Sequence, residues 1–150
     1  MSTWTTRNAT FDDVEPIAEL RSVVLKDDLE RLGRYDAHRV RQRLRDAFEP
    51  THTRVIEVDG VFAGCFALRA ADDGHWLEHF YLAADRQGHG LGTAVLRHEL
   101  AHADREDIVV RLNVLQGSPA RRLYERHGFR ITGEDPVDVF MVRFPTALPV

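Results

Sequence analysis

The sequence predicts an α/β fold, and three observations carry that prediction. Strand-like and helix-like segments alternate along the chain in the order β-α-α-β-β-β-α-β-α-β-β. Residues 54–58 and 61–68 flank the pair Asp59-Gly60, a strong hairpin signal. A glycine-rich turn, Arg86-Gln87-Gly88-His89-Gly90-Leu91-Gly92, joins an apolar strand to a helix.

Each element has its own signal. Residues 3–8 read as a short first strand. A helix is expected from about Asp12, with Val14, Ile17, Val24 and Leu25 facing inward; Pro16 lacks an N–H and either belongs in its first turn or bends it. The charged stretch 26–50 holds a second helix, residues 36–48, after a loop at Gly33. The hairpin follows, then an aromatic strand, Trp76-Leu77-Glu78-His79-Phe80-Tyr81-Leu82. After the glycine turn a helix runs from Gly90. Residues 108–114 are continuously apolar in the manner of a buried strand. Ser118-Pro119 opens the next helix, with serine as N-cap and proline at the first helical position. Residues 129–132 and 137–142 close the chain as strands.

At 150 residues, 43% apolar and 29% charged, the chain is expected to form one globular domain over residues 1–150. A formal charge of −4 argues against a nucleic-acid partner, which calls for a basic surface, and mildly favours a cationic substrate such as an amine. The one cysteine, Cys65, excludes an internal disulfide, fits a reducing compartment, and lies in an apolar run that suits a buried structural thiol. No apolar stretch approaches the roughly 20 residues of a membrane helix. The opening Met1-Ser2-Thr3-Trp4 has no signal-peptide pattern, so a cytoplasmic location, away from membranes, is expected.

The glycine turn is the best clue to function. Strand, glycine-rich turn and helix together make an anion site: backbone N–H groups point at a phosphate and the helix N-terminus adds about half a positive charge. A Cβ in the turn would block the approach of the phosphate. A dinucleotide fingerprint needs Gly-x-Gly-x-x-Gly early in a βαβ unit, whereas here the spacing is Gly-x-Gly-x-Gly in the second half of the chain. A P-loop needs Gly-Lys-Ser/Thr, and the only lysine is Lys26. A glycine turn with no ligand is the remaining alternative for this segment alone.

A second segment decides between them. Pro119-Ala120-x-x-Leu123-Tyr124-x-x-x-Gly128-Phe129 follows at the right distance, and Gln87-Gly88-His89-Gly90-Leu91-Gly92 fits a Gln/Arg-x-x-Gly-x-Gly/Ala loop. Together the pair resembles the GNAT superfamily of acyl-CoA-dependent N-acyltransferases, strongly over residues 76–133, more weakly over 52–70, and only in architecture before that. The resemblance implies a mixed, mostly antiparallel sheet of six to seven strands flanked by about four helices. It also implies that the strand ending at Leu82 splays from the 108–114 strand. Acetyl-CoA would be the co-substrate and an amine the acceptor, in a monomer or homodimer.

Acetyl transfer to an amine sets three tasks: the amine loses a proton, the carbonyl oxygen is stabilised, and the thiolate leaves. Stripping a lysine-like amine at neutral pH costs about 4–5 kcal/mol, and a carboxylate can take the proton. Glu78, nine residues before Gln87, is the candidate base; the resemblance puts a base on the face that Glu78 shares with Trp76 and Phe80. A solvent-facing strand glutamate is the alternative. His79 points to the other face by alternation and reads as structural. Tyr124, at the family's tyrosine position, is the candidate acid for the sulfur; a helix tyrosine packed on the sheet is its alternative.

Main-chain groups of Phe80, Tyr81 and Leu82 are implied to line the thioester arm, and Gln87, Gly88, His89, Gly90, Leu91, Gly92 and Thr93 to bind the cofactor, with Gly117, Ser118 and Tyr124 beside it. Gly117 stands where the family often has asparagine, so that side-chain amide is missing; Ser118 replaces it only if capping leaves its hydroxyl available. His98-Glu99-Leu100-Ala101-His102 matches the zinc-protease pattern His-Glu-x-x-His. The two histidines fall opposite the core-side Leu96 and Leu100, so they are expected on a surface face, and no metal site is expected. The acceptor itself is not legible. A non-catalytic acyl-CoA sensor and a protein acetyltransferase acting on N-terminal or lysine amines are the rival readings.

Overall fold

The computed structural model describes residues 3–146. Met1 and Ser2, on which the reading of the N-terminus partly rests, lie outside the described residues. The strands are β1 (Trp4–Asn8), β2 (Thr53–Val58), β3 (Val61–Ala71), β4 (Gly74–Leu82), β5 (Val110–Leu115), β6 (Arg130–Glu134) and β7 (Asp138–Arg143). The helices are α1 (Val14–Arg31), α2 (Ala37–Ala47), α3 (Leu91–Arg105) and α4 (Ala120–Arg126). The element order is the expected one. The strands form a seven-stranded mixed sheet in the order β1-β2-β3-β4-β5-β7-β6. The pairs β1–β2, β2–β3, β5–β7 and β6–β7 are antiparallel, whereas β4 and β5 run parallel through two residue pairs, His75↔Val110 and Trp76↔Arg111.

Internal contacts divide the chain into two units. One holds the residues up to 68 with 79–89; the other holds 69–78 with those from 90 onward. The boundary cuts β4 between Glu78 and His79.

In the first unit Ile17, Ala18 and Leu20 of α1 bury against Leu44 of α2 and Val55 and Cys65 of the hairpin, with Val14, Val24 and Leu25 partly buried beside them. Pro16 sits in the first turn of α1, where its missing N–H costs no helical bond. Asp36 caps α2, its carboxylate accepting from the N–H groups of His38 and Arg39 at 3.0 and 2.8 Å. Asp59 and Gly60 both take positive φ (51° and 80°), which gives the hairpin its twist-matched turn. Arg7 of β1 forks onto Asp13 with two 2.9 Å bonds, and that guanidinium holds the Asp13 carboxyl below the usual carboxylate range.

In the second unit Val95, Leu96, Leu100 and Ala103 form the buried side of α3, and β5 and β7 bury Val110, Leu112, Val114, Val139, Met141 and Val142. Arg143 of β7, itself buried, forks onto Asp104 of α3 at 2.9 and 3.0 Å and donates to the His127 carbonyl at 2.9 Å. Among the described residues no helix is long and apolar enough to cross a membrane.

Candidate active site

The glycine turn has the backbone that an anion cradle needs. Gly88 and Gly90 both take positive φ (77° and 82°), a region that side-chain-bearing residues avoid. A Cβ built at either meets no protein atom within 4 Å, so the space before the turn is open. Gly90 is also the N-cap of α3, and no side chain caps that helix. A 15-residue helix thus begins at a bare glycine, with its first N–H groups aimed past the turn. Leu91, Gly92 and Thr93 form its first turn. Gly92 lies inside the helix and does not take a positive φ. His89 between the two left-handed glycines is exposed. The Gln87 side-chain amide donates to the Leu82 carbonyl at 2.9 Å, tying the turn back to the end of β4.

The first-unit part of β4 is anchored from several sides. Phe80 packs edge-on to Phe66, with ring centroids 6.3 Å apart. The buried Tyr81 accepts a hydrogen bond from Arg21 Nε at 3.1 Å, and His79 Nδ1 lies 3.2 Å from the same hydroxyl. Gly64 of β3 is obligatory for space: a Cβ there would strike the Tyr81 carbonyl oxygen and approach Leu82 Cδ2 to 3.0 Å.

His79 corrects one expectation. Its φ is +52°, a left-handed residue inside a strand. Regular alternation therefore stops at His79, and the argument that Glu78 and Phe80 share a face does not carry across it. The His79 carbonyl accepts the Cys65 thiol proton at 3.2 Å. Cys65 is fully buried, which pushes its thiol up to about 12 and keeps it neutral as a donor. It is a structural thiol, as expected, with a definite task at this irregularity.

In the second unit Glu78 and Trp76 do lie on one side of β4, because both engage Arg69. Arg69 Nε donates to Glu78 Oε1 at 2.9 Å, and its guanidinium carbon lies 6.0 Å from the Trp76 ring centroid. The Glu78 side chain is 36% exposed. The sequence reading missed Arg69 because it ended the second hairpin strand at Leu68, whereas β3 runs on to Ala71.

Tyr124 is buried in α4, its ring edge-on to Phe129 at 5.5 Å. Gly117 takes φ +79° in a turn closed by Ser118 N–H donating to the Leu115 carbonyl at 3.0 Å. The helix begins one residue later than expected: Pro119 is the N-cap, and Ser118 Oγ accepts from the Ala120 N–H at 3.2 Å. That hydroxyl is therefore engaged in capping. His98 and His102 are exposed on α3, opposite its buried leucines. Among the described residues no three His, Cys, Asp or Glu side chains gather as a metal site.

The family model described as acetyltransferase (GNAT) domain matches residues 49–131. Among solved structures, the PaiA N-acetyltransferase of Thermoplasma acidophilum, in complex with coenzyme A, aligns at a TM-score of 0.74 and 18% identity over 95% of this chain and 99% of that one. The ribosomal-protein-S18-alanine N-acetyltransferase of Escherichia coli aligns at 0.72 and 16%, over 97% and 96%. Ard1 of Thermoplasma volcanium aligns at 0.70 and 20%, over 95% and 98%. These likenesses are likenesses of fold. No curated protein matches the chain.

Proposed function

The chain belongs to the GNAT acetyltransferase family, and on that premise we propose that it moves the acetyl group of acetyl-CoA to a primary amine by direct attack in a ternary complex. The observation that carries this reading is the pair of left-handed glycines, Gly88 and Gly90, with open space before them at the uncapped start of α3. A phosphate fits such a cradle on charge, on donors and on room.

The co-substrate supplies a thioester-activated acetyl group. The N–H groups of the turn from Gln87 to Thr93 hold its pyrophosphate. Main-chain groups of Phe80, Tyr81 and Leu82 hold its arm, and an N–H among them stabilises the carbonyl oxygen as charge develops there. Gly117 lies beside the cofactor and offers it no side-chain amide. Ser118 contributes through its backbone, since its hydroxyl caps α4.

Glu78 takes the first proton of the ammonium and passes it to solvent. The nitrogen then bonds to the acetyl carbon and the C–S bond breaks. Tyr124 gives its phenolic proton to the departing sulfur, and the second amine proton, shed as the intermediate collapses, replaces it. Amide and thiol are formed with one proton released. Arg69 holds Glu78 in place through its Nε–H, which donates to Oε1 at 2.9 Å.

The test is release of coenzyme A thiol from acetyl-CoA across a panel of amines. Amine-dependent release supports the reading. Tight acetyl-CoA binding with no release by any amine or peptide would instead mark an acyl-CoA sensor, a rival that gains from Glu78 being ion-paired at rest.

A further inference from the structure

Around the turn from β3 to β4 the second unit carries a network that acetyl transfer uses only through Glu78. Arg69 Nε donates to Glu78 Oε1, and the guanidinium lies over the Trp76 ring. Trp76 Nε1 donates to Asp73 Oδ1 at 3.1 Å. Arg111 Nε donates to the Asp73 backbone carbonyl at 2.7 Å and stands 3.5 Å from the Asp73 carboxylate. Stability does not account for this arrangement. The Arg69 and Glu78 side chains are 45% and 36% exposed, and ion pairs so placed contribute about 0–1 kcal/mol.

What the pair leaves available is more telling. Arg69 commits its Nε–H to Glu78 and keeps both Nη groups, which bond no other described side chain. Glu78 likewise keeps Oε2. A guanidinium lying over an indole presents its fork for a carboxylate. The oxygen beside it presents an acceptor for an ammonium.

We propose that the Arg69–Glu78 pair selects a zwitterionic acceptor, a free amino acid whose carboxylate is held by the Arg69 Nη groups and whose α-ammonium is held by Glu78. This rests on the transfer reading above, in which Glu78 takes the amine proton. In an α-amino acid one carbon separates the two charged groups, so they lie as close together as the guanidinium and carboxylate that would receive them. Charge points the same way. Arg69 and Arg111 cancel Asp73 and Glu78, and a neutral cluster suits a neutral zwitterion. A simple cationic amine would add a net positive charge to a neutral cluster and leave the Arg69 fork without an anion, and a peptide N-terminus carries no carboxylate next to its amine.

The Trp76 indole N–H resonance reports the site without requiring turnover; Trp76→Phe distinguishes it from that of Trp4. Free amino acids, their amides and the matching decarboxylated amines are titrated into the enzyme bound to coenzyme A. The amino acids are expected to give a saturable shift, with the amides and amines weaker by about ten- to hundredfold. Arg69→Ala and Arg69→Lys are expected to abolish that preference, the lysine because it keeps the charge and loses the fork. Equal affinity for amides and amino acids, or no saturable shift with any amino acid, overturns the proposal. Thiol release is followed in the same samples. Amino acids that bind without releasing thiol uphold zwitterion recognition and sink the transfer reading. Equal kcat/KM on amino acids, amides and amines does the reverse.

Discussion

The positive φ and the open space at Gly90 carry the cofactor assignment. A branched side chain there would strain a positive φ and fill the open space before α3. Gly90→Val is expected to abolish acetyl-CoA binding in calorimetry while the circular dichroism stays that of a folded chain; undiminished affinity in a folded variant removes the turn from the cofactor site. The glycines were legible in the sequence because their spacing and their place before a helix are local properties. His79 was not. A left-handed histidine in a strand depends on Cys65, fourteen residues back, donating its thiol to the irregular carbonyl. Arg69 was hidden for a similar reason: its meeting with Glu78 is set by how far β3 extends, which residue patterning does not fix to within three positions. Glu78→Gln is expected to lower turnover about 10²–10⁴-fold below the acceptor's own pKa and to recover at high pH, where the amine needs no base. A constant deficit across the pH–rate profile would make Glu78 a binding residue alone.

At the level of elements, the turn and helix-start signals are local. Asp59-Gly60 turns a hairpin and Pro16 starts a helix, each through chemistry contained in a few consecutive residues. The start of α4 moved by one residue because Ser118 and Pro119 share the capping positions. What ties α3 to β7 is the buried fork between Asp104 and Arg143. Arg143 holds the Asp104 carboxyl below its usual range. A carboxyl depressed on folding stabilises the native state above its unfolded value near 3.9, and that contribution is lost as the pH falls through the lower folded value. Asp104→Asn leaves Arg143 buried without its counter-charge and is expected to cost about 3 kcal/mol in urea denaturation at neutral pH. The difference from wild type should shrink as the pH drops below about 4. An unchanged midpoint at neutral pH would reduce the pair to a surface contact.

For the molecule as a whole we propose that residues 1–150 fold as one domain, although internal contacts group them into two units. Trp4 lies in the first unit and Trp76 in the second, so variants keeping one tryptophan each report one unit. Coincident urea transitions are expected in the two; midpoints that separate would make the units independent. The central claim is direct transfer from thioester to amine, and single-turnover mixing with acetyl-CoA labelled in its acetyl group tests it most directly. With acetyl-CoA alone the protein should acquire no label, and on adding an accepted amine the label should appear in the N-acetyl product, one for each thiol released. A labelled acetyl-enzyme that forms without amine and is discharged by it would contradict the account.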